Sequence, residues 1–305
     1  MENSNAEQSG SPATEVRNSR TRDIDTVPTL ELLTLLNAED ASVAGAVQAT
    51  LPILAEVVDL VVDRLNAGGR VHYFGAGSSG RIGVLDAAEI VPTFGTDPPL
   101  FIAHHAGGEG AVVTAIEGAE DDEDLGLAAG SVLTSADVAV GLSASGRTPW
   151  VAGALKAGRA VGATTVLVSS NLAAPLRALA DHCILVDTGA EAIAGSTRLK
   201  AGAAQKMVLN GLSTAAMVRL GRTYSNLMVA MSGRNAKLGN RQITILMEAS
   251  GASEAECRAE LDRCDGDLRL ALLCLLSGLT PGEARPRLVA LGIAPDDSGR
   301  GTAHA

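Results

Sequence analysis

The sequence predicts a doubly wound α/β fold around a five-stranded parallel sheet, with helices before it and a small helical module after it. Five short apolar runs, each bounded by Gly or small polar residues, lie between Arg70 and Val186. Ala-rich stretches of helical length separate them, and buried strands alternating with helices form a parallel sheet covered on both faces. Apolar residues make up 46% of the 305 and aromatics only 2%, so Ala, Val, Leu and Ile must fill the core.

Met1 to about Arg22 is polar and is expected to be a tail that is disordered or lightly tethered. From Thr29, leucines recur at helical spacing, and Leu51–Leu65 carries an apolar stripe opposite Asp and Glu, so two helices are expected. The strands follow as Arg70–Phe74, Leu100–Ala103, Val138–Leu142, Thr164–Val168 and His182–Val186. A long helix is expected from about Gly195 to Gly221. Three amphipathic segments, interrupted at Ser250-Gly251, Gly266 and Pro281-Gly282, then predict a three-helix module. The expected divisions are a tail over 1–22, a ligand-binding α/β domain over 23–241, the helical module over 242–293 and a flexible tail over 294–305.

Composition excludes several functions. With 35 acidic against 24 basic residues, the formal charge of −11 repels polyanions, and six aromatics are too few for a base-stacking platform, so nucleic acid is not an expected partner. Cys183, Cys257, Cys264 and Cys274 contain no CxxC pair and read as reduced packing residues, not a disulfide framework or a zinc site. No signal peptide or long apolar span is visible, so the expectation is a cytoplasmic protein with no membrane partner.

Ligands of such sheets bind beyond the carboxyl ends of the strands. After the first strand comes Gly75-Ala-Gly77-Ser78-Ser79-Gly80-Arg81. Its glycines fit the dinucleotide pattern G-x-G-x-x-G, yet the second strand ends in His104-His105 where a ribose-binding acid is needed, and the P-loop Lys is missing. An anion-binding helix start remains. The loop after the third strand, Ser143-Ala-Ser145-Gly-Arg147-Thr148-Pro149, offers three hydroxyls in six residues. Either loop alone reads equally as a capped turn. Together, beyond neighbouring strands, they suit a phosphomonoester.

Among carboxylates, Glu89 lies amid small and apolar residues, where desolvation would raise its pKa and prepare it as a general acid. Glu117 and Glu120 are spaced to share a helical face, with room beside Ala115 and Ala119. The acidic run Asp122–Asp124 reads as solvated, and for Glu89 and Glu120 the residues leave catalytic and solvated roles both open. His104 and His105 point to opposite sides of a strand, which disfavours a shared metal. Arg198, Lys200 and Lys206 can hold an anion or form an exposed basic turn.

Four blocks in order, GAGSSGRIGVLDAAE (Gly75–Glu89), AIEGAEDD (Ala115–Asp122), SASGRTPWV (Ser143–Val151) and GSTRLKAGAAQKMVLNGLST (Gly195–Thr214), resemble the N-acetylmuramic acid 6-phosphate etherases of the sugar isomerase (SIS) superfamily. The resemblance runs from about Thr21 to about Gly292. It implies an SIS-type, flavodoxin-like sheet and a lyase that cleaves the D-lactyl ether of N-acetylmuramic acid 6-phosphate, without metal or organic cofactor. It also implies a homodimer with the site near the subunit contact. By similarity, Glu89 and Glu120 are the catalytic carboxylates, while Ser79, Ser143, Ser145 and Thr148, with Gly77, Ser78 and Lys200 beside them, bind the phosphosugar. The chain departs from the family pattern at Ile90-Val91-Pro92, His104-His105, Gly211 and Ala230. A sugar-phosphate-sensing regulator of the same fold and a phosphosugar isomerase are the alternative functions.

Overall fold

The computed structural model describes residues 12–96, 98–114, 116–230 and 236–290, with the side chains of 236–239 undescribed. It divides into two compact units, one of residues 1–88 and 100–214, the other of 89–99 and 215–305. The first begins with α1 (Thr29–Ala41), α2 (Val43–Gln48) and α3 (Leu51–Asn66). Helix α3 carries Pro52 in its first turn and buries Leu54, Val57, Val58, Val61 and Leu65, the stripe seen in the sequence. The leucines of α1 do not bury fully: Leu30 is 79% and Leu33 55% exposed, while Leu32, Leu35 and Leu36 are half-buried.

The strands are β1 (Val71–Gly75), β2 (Phe101–His105), β3 (Val138–Leu142), β4 (Thr164–Ser169) and β5 (His182–Leu185). All pairs are parallel, in the order β2-β1-β3-β4-β5. Strands β1, β3 and β4 are buried at every residue, so their apolar runs lack alternation, whereas the edge strands β2 and β5 are only partly buried. Helix α4 (Gly77–Phe94) follows β1; α5 (Gly110–Val113) and α6 (Glu123–Ala129) follow β2; α7 (Pro149–Val161) follows β3. Phe74, Leu155, Leu167, Trp150 and Val151 form the core on one face of the sheet.

The long helix α8 (Lys200–Arg219) starts five residues later than the sequence reading placed it. The buried Glu191 carboxylate sets that start by accepting the N–H groups of Lys200 and Ala201, both at 2.9 Å. Residues from Pro12 to Arg22 are tethered, the second of the two states expected there. Asn18 Nδ2 and Thr21 Oγ1 donate to the carbonyls of Ala190 and Ala192, and Gly195 N donates to Thr14 O. Residues 1–11 and the expected tail 294–305 lie outside the described residues.

The second unit contains four helices among its described residues, α9 (Ala236–Ser250), α10 (Glu254–Arg263), α11 (Leu268–Ser277) and α12 (Pro281–Ala290), where three were expected. Pro281 opens a fourth helix instead of ending the third, because a proline at a helix start loses no hydrogen bond. Ser253 and Glu256 cap α10 reciprocally, and Asp267 caps α11. Ile243, Leu246, Cys257, Cys264, Leu270 and Cys274 belong to its core. The division between units falls within α4 and α8 and not near Gln242. Among the described residues no single helix is long and apolar enough to cross a membrane.

Candidate active site

In a sheet of order 2-1-3-4-5 the crevice opens where the winding reverses, between the carboxyl ends of β1 and β3. These ends are level, since Gly75 pairs with Leu142. The two loops singled out by sequence therefore leave the sheet side by side. The first turns from strand to helix across one residue, Ala76. A Cβ on Gly75 would lie 2.8 Å from Gly80 N, and one on Gly80 would lie 2.5 Å from Gly75 O, so the loop needs both glycines to close. Gly77 has φ +52°, and half-buried Ser78 and Ser79 follow it in the first turn of α4, where backbone N–H groups lack helical partners. Two side chains hold this turn from behind: Gln205 Nε2 on α8 donates to Ser79 O (2.9 Å), and His105 Nε2 lies 3.1 Å from Gly77 O.

The second loop gathers its hydroxyls. Buried Ser143 Oγ is 2.8 Å from Thr148 Oγ1 and 3.4 Å from Ser145 Oγ. The loop is fixed by the segment after β4, where Asn171 Nδ2 donates to Ser145 O and Leu176 N to Gly146 O. Pro149 then opens α7, as its position suggested. Hydroxyls and free amides around one crevice suit a compact anion with several acceptor oxygens.

Glu120 does not lie on a helix. Gly118 at φ +73° bends Glu117–Glu120 into a turn, which removes the shared helical face expected for the two glutamates. Ala115, invoked beside them, lies outside the described residues. The turn is nonetheless placed firmly, because Trp150 N donates to Glu120 O (3.0 Å) at the start of α7. Helix α6, which follows, reaches α7 through missing side chains: a Cβ on Gly126 would strike Trp150 O, and one on Gly153 would strike Glu123 O. Exposed Glu120 and Glu117 line a cavity of about 290 Å³ with Gly77, Arg81 and His105. Arg81 is held there by the carbonyls of Val112 (2.7 Å) and Ala111 (2.8 Å).

With this crevice described, relatedness decides the family. A curated N-acetylmuramic acid 6-phosphate etherase of Thermobifida fusca is 58% identical over 264 residues, which cover 87% of each chain. The chain belongs to the N-acetylmuramic acid 6-phosphate etherase family. A second etherase, of Enterobacter sp. (strain 638), is 47% identical over 92% of this chain and 95% of its own. The family model of the glucokinase regulatory protein N-terminal SIS domain matches residues 53–159. A solved phosphoheptose isomerase of Francisella tularensis shares the fold at a TM-score of 0.50 and 17% identity, covering 63% of this chain and all of that one.

Other residues of this etherase-family chain stand differently from the sequence reading. Glu89 is exposed on α4, so the desolvation that its apolar neighbours suggested is absent within one chain. Asp86, one turn earlier, is the buried carboxylate. It accepts from Tyr73 Oη (3.0 Å), Asn210 Nδ2 (2.6 Å) and Ser213 Oγ (3.1 Å), and burial pushes its pKa up. Lys200 is 1% exposed, and its ammonium is 2.8 Å from Glu39 Oε2, so it presents no accessible donor to a ligand. Arg20 grips both Glu39 oxygens, Nε on Oε1 and an Nη on Oε2, and these partners hold that carboxyl down at about 2.

His104 and His105 indeed diverge. His104 Nε2 lies 2.9 Å from His72 Nδ1, with the rings nearly coplanar at 7°, and it stacks on Phe74; burial lowers its pKa to about 4. Glu260, Cys264 and Cys274 bring their ligand atoms within 4.8 Å of one another in the helical unit, which the spacing did not show. Burial pushes both thiols up, and Arg263 Nη1 lies 2.7 Å from Glu260 Oε2. The roles of Gln205, His105 and Trp150 left no signal in the sequence because they act on backbone atoms, for which no motif exists.

Proposed function

We propose that the chain is a cytoplasmic carbon–oxygen lyase that converts N-acetylmuramic acid 6-phosphate and water to N-acetylglucosamine 6-phosphate and D-lactate. The observation that carries this is the cluster of Ser143, Ser145 and Thr148 beside the start of α4, in a chain 58% identical to a named etherase along most of its length. The phosphate is bound by those hydroxyls, by Ser78 and Ser79, and by amides from Gly77 onward. The regulator reading is not favoured: the regulatory-protein family model covers residues 53–159, whereas the etherase relatives match most of the chain.

The chemistry follows from the substrate. Opening of the ring frees an aldehyde at C1, which acidifies the C2 proton. A carboxylate removes that proton and the electron pair forms the C2–C3 double bond, while a carboxylic acid protonates the departing lactate oxygen at C3. Water then adds at C3 and a proton returns to C2. Glu89 serves as acid for lactate and then as base for water; Glu120 handles the C2 proton. Each transfer is worth about 10²–10⁴ in rate. Every proton moves among substrate, water and carboxylates, so the sequence calls for no cofactor. The exposed leucines of α1 supply an apolar face of the kind that a homodimer covers.

The test is release of D-lactate from N-acetylmuramic acid 6-phosphate. Glu89→Gln and Glu120→Gln are each expected to lower kcat about 10²–10⁴-fold with folding intact. A wild-type protein that yields no lactate, or that forms a ketose phosphate instead, refutes the proposal.

A further inference from the structure

The fold puts His105 against the loop between β1 and α4. It ends β2, paired with Gly75, and is 9% exposed. Its ring packs against the first turn of α4 so closely that a Cβ on Gly80 would lie 2.5 Å from His105 Cδ2. Both ring nitrogens meet carbonyls: Nδ1 lies 2.7 Å from Ala106 O, and Nε2 lies 3.1 Å from Gly77 O.

A carbonyl only accepts, and a neutral imidazole carries one N–H. The uncharged ring therefore satisfies one of these oxygens and turns a lone pair toward the other. Only the imidazolium bonds both. The Gly77 carbonyl matters because it belongs to the same planar peptide as the Ser78 N–H, and in a trans peptide the two point in opposite directions. Holding Gly77 O on His105 aims the Ser78 amide away from the ring, into the crevice assigned to the phosphate.

We propose that His105 is a protonation-dependent positioning residue for the substrate phosphate: its imidazolium locks the Gly77–Ser78 peptide, and its deprotonation loosens the loop and weakens phosphosugar binding. The inference rests on the phosphate-site reading above. The charged and titratable groups around the two cavities that His105 borders are Arg81 on α4, His104 on β2, Glu109 before α5, and Glu117 and Glu120 in the turn before α6. Arg81 is tied to carbonyls, and His104 is held neutral by burial, so neither replaces His105 at Gly77 O.

The experiment measures kcat and KM for N-acetylmuramic acid 6-phosphate from about pH 5 to about pH 8, where an imidazole titrates, in the wild type and in His105→Asn, which keeps a donor but cannot titrate. The substrate phosphate, with its second pKa of about 6, affects both proteins alike and cancels in the ratio of KM values. That ratio is expected to change about tenfold across the range, the size of one charge-assisted hydrogen bond, with wild-type binding weakening as pH rises and kcat little changed. A ratio flat with pH overturns the proposal. Should His105→Asn fail to fold, nitrogen NMR of the wild type decides: with product phosphosugar bound, both His105 nitrogens are expected to carry protons near pH 6, and an unprotonated nitrogen there overturns it. Ser145→Ala separates the two readings. An unchanged KM in that variant sinks the phosphate site itself, whereas a raised KM beside a flat His105 ratio sinks only this inference.

Discussion

Lys200 and Glu39 offer the sharpest test of how this unit is held together. Their side chains are 1% and 3% exposed and their charges 2.8 Å apart, while Arg20, which shares Glu39, is largely in solvent. Glu39→Gln keeps the shape but strands the Lys200 ammonium in the interior, and breaking a buried pair from one side costs about 3–5 kcal/mol. For a unit of this size that lowers the unfolding midpoint by roughly 10 °C. Lys200→Met leaves Glu39 its Arg20 partner and is expected to cost about 1–2 kcal/mol. The double variant should recover at least about 1 kcal/mol relative to Glu39→Gln, because no lone buried charge remains. Acid gives a second measure. Folding holds the Glu39 carboxyl at about 2 against an ordinary 4.5, which corresponds to about 3 kcal/mol. Because the folded value is the lower one, that contribution is present above pH 4.5 and is lost as pH falls toward 2; Glu39→Gln flattens the wild-type loss in this window. Thermal scans and acid titration of the three variants check these values. Additive single effects, or a Lys200→Met protein of unchanged stability whose KM for phosphosugar rises tenfold, would refute the structural role and return Lys200 to the ligand.

Two further outcomes follow from the site. Ser145→Ala and Ser79→Ala should each raise KM about tenfold with kcat nearly kept, as loss of uniform phosphate binding does; steady-state kinetics on N-acetylmuramic acid 6-phosphate check this, and a pure kcat effect contradicts it. Gly126→Ala drives a methyl group into Trp150 O, so it should cost about 2–3 kcal/mol and, by shifting the turn that carries Glu120, lower kcat more than it raises KM.

The strands were legible because their apolar runs lie in strands buried on both faces; Val138–Leu142 falls on the residues read from the sequence. Gly75, Gly77 and Gly80 were legible as a tight strand-to-helix turn, which demands glycines at close approach and at positive φ. Glu120 was singled out by type and place but assigned a helix that Gly118 does not permit. Glu89 was read as buried because its chain neighbours are apolar, yet Ala87 and Ile90 point inward on α4 while Glu89 points out. Local sequence thus determined the strands, most helix starts, the glycine loops and the hydroxyl cluster, all set by interactions within a few residues. Tertiary structure alone decided that Lys200 meets Glu39, 161 positions away, that Asp86 and not Glu89 is the buried acid, and that His105 and Gln205 meet the carbonyls of Gly77 and Ser79 in the loop after β1. These are contacts between elements distant in sequence, fixed by the strand order and helix packing that no local pattern encodes.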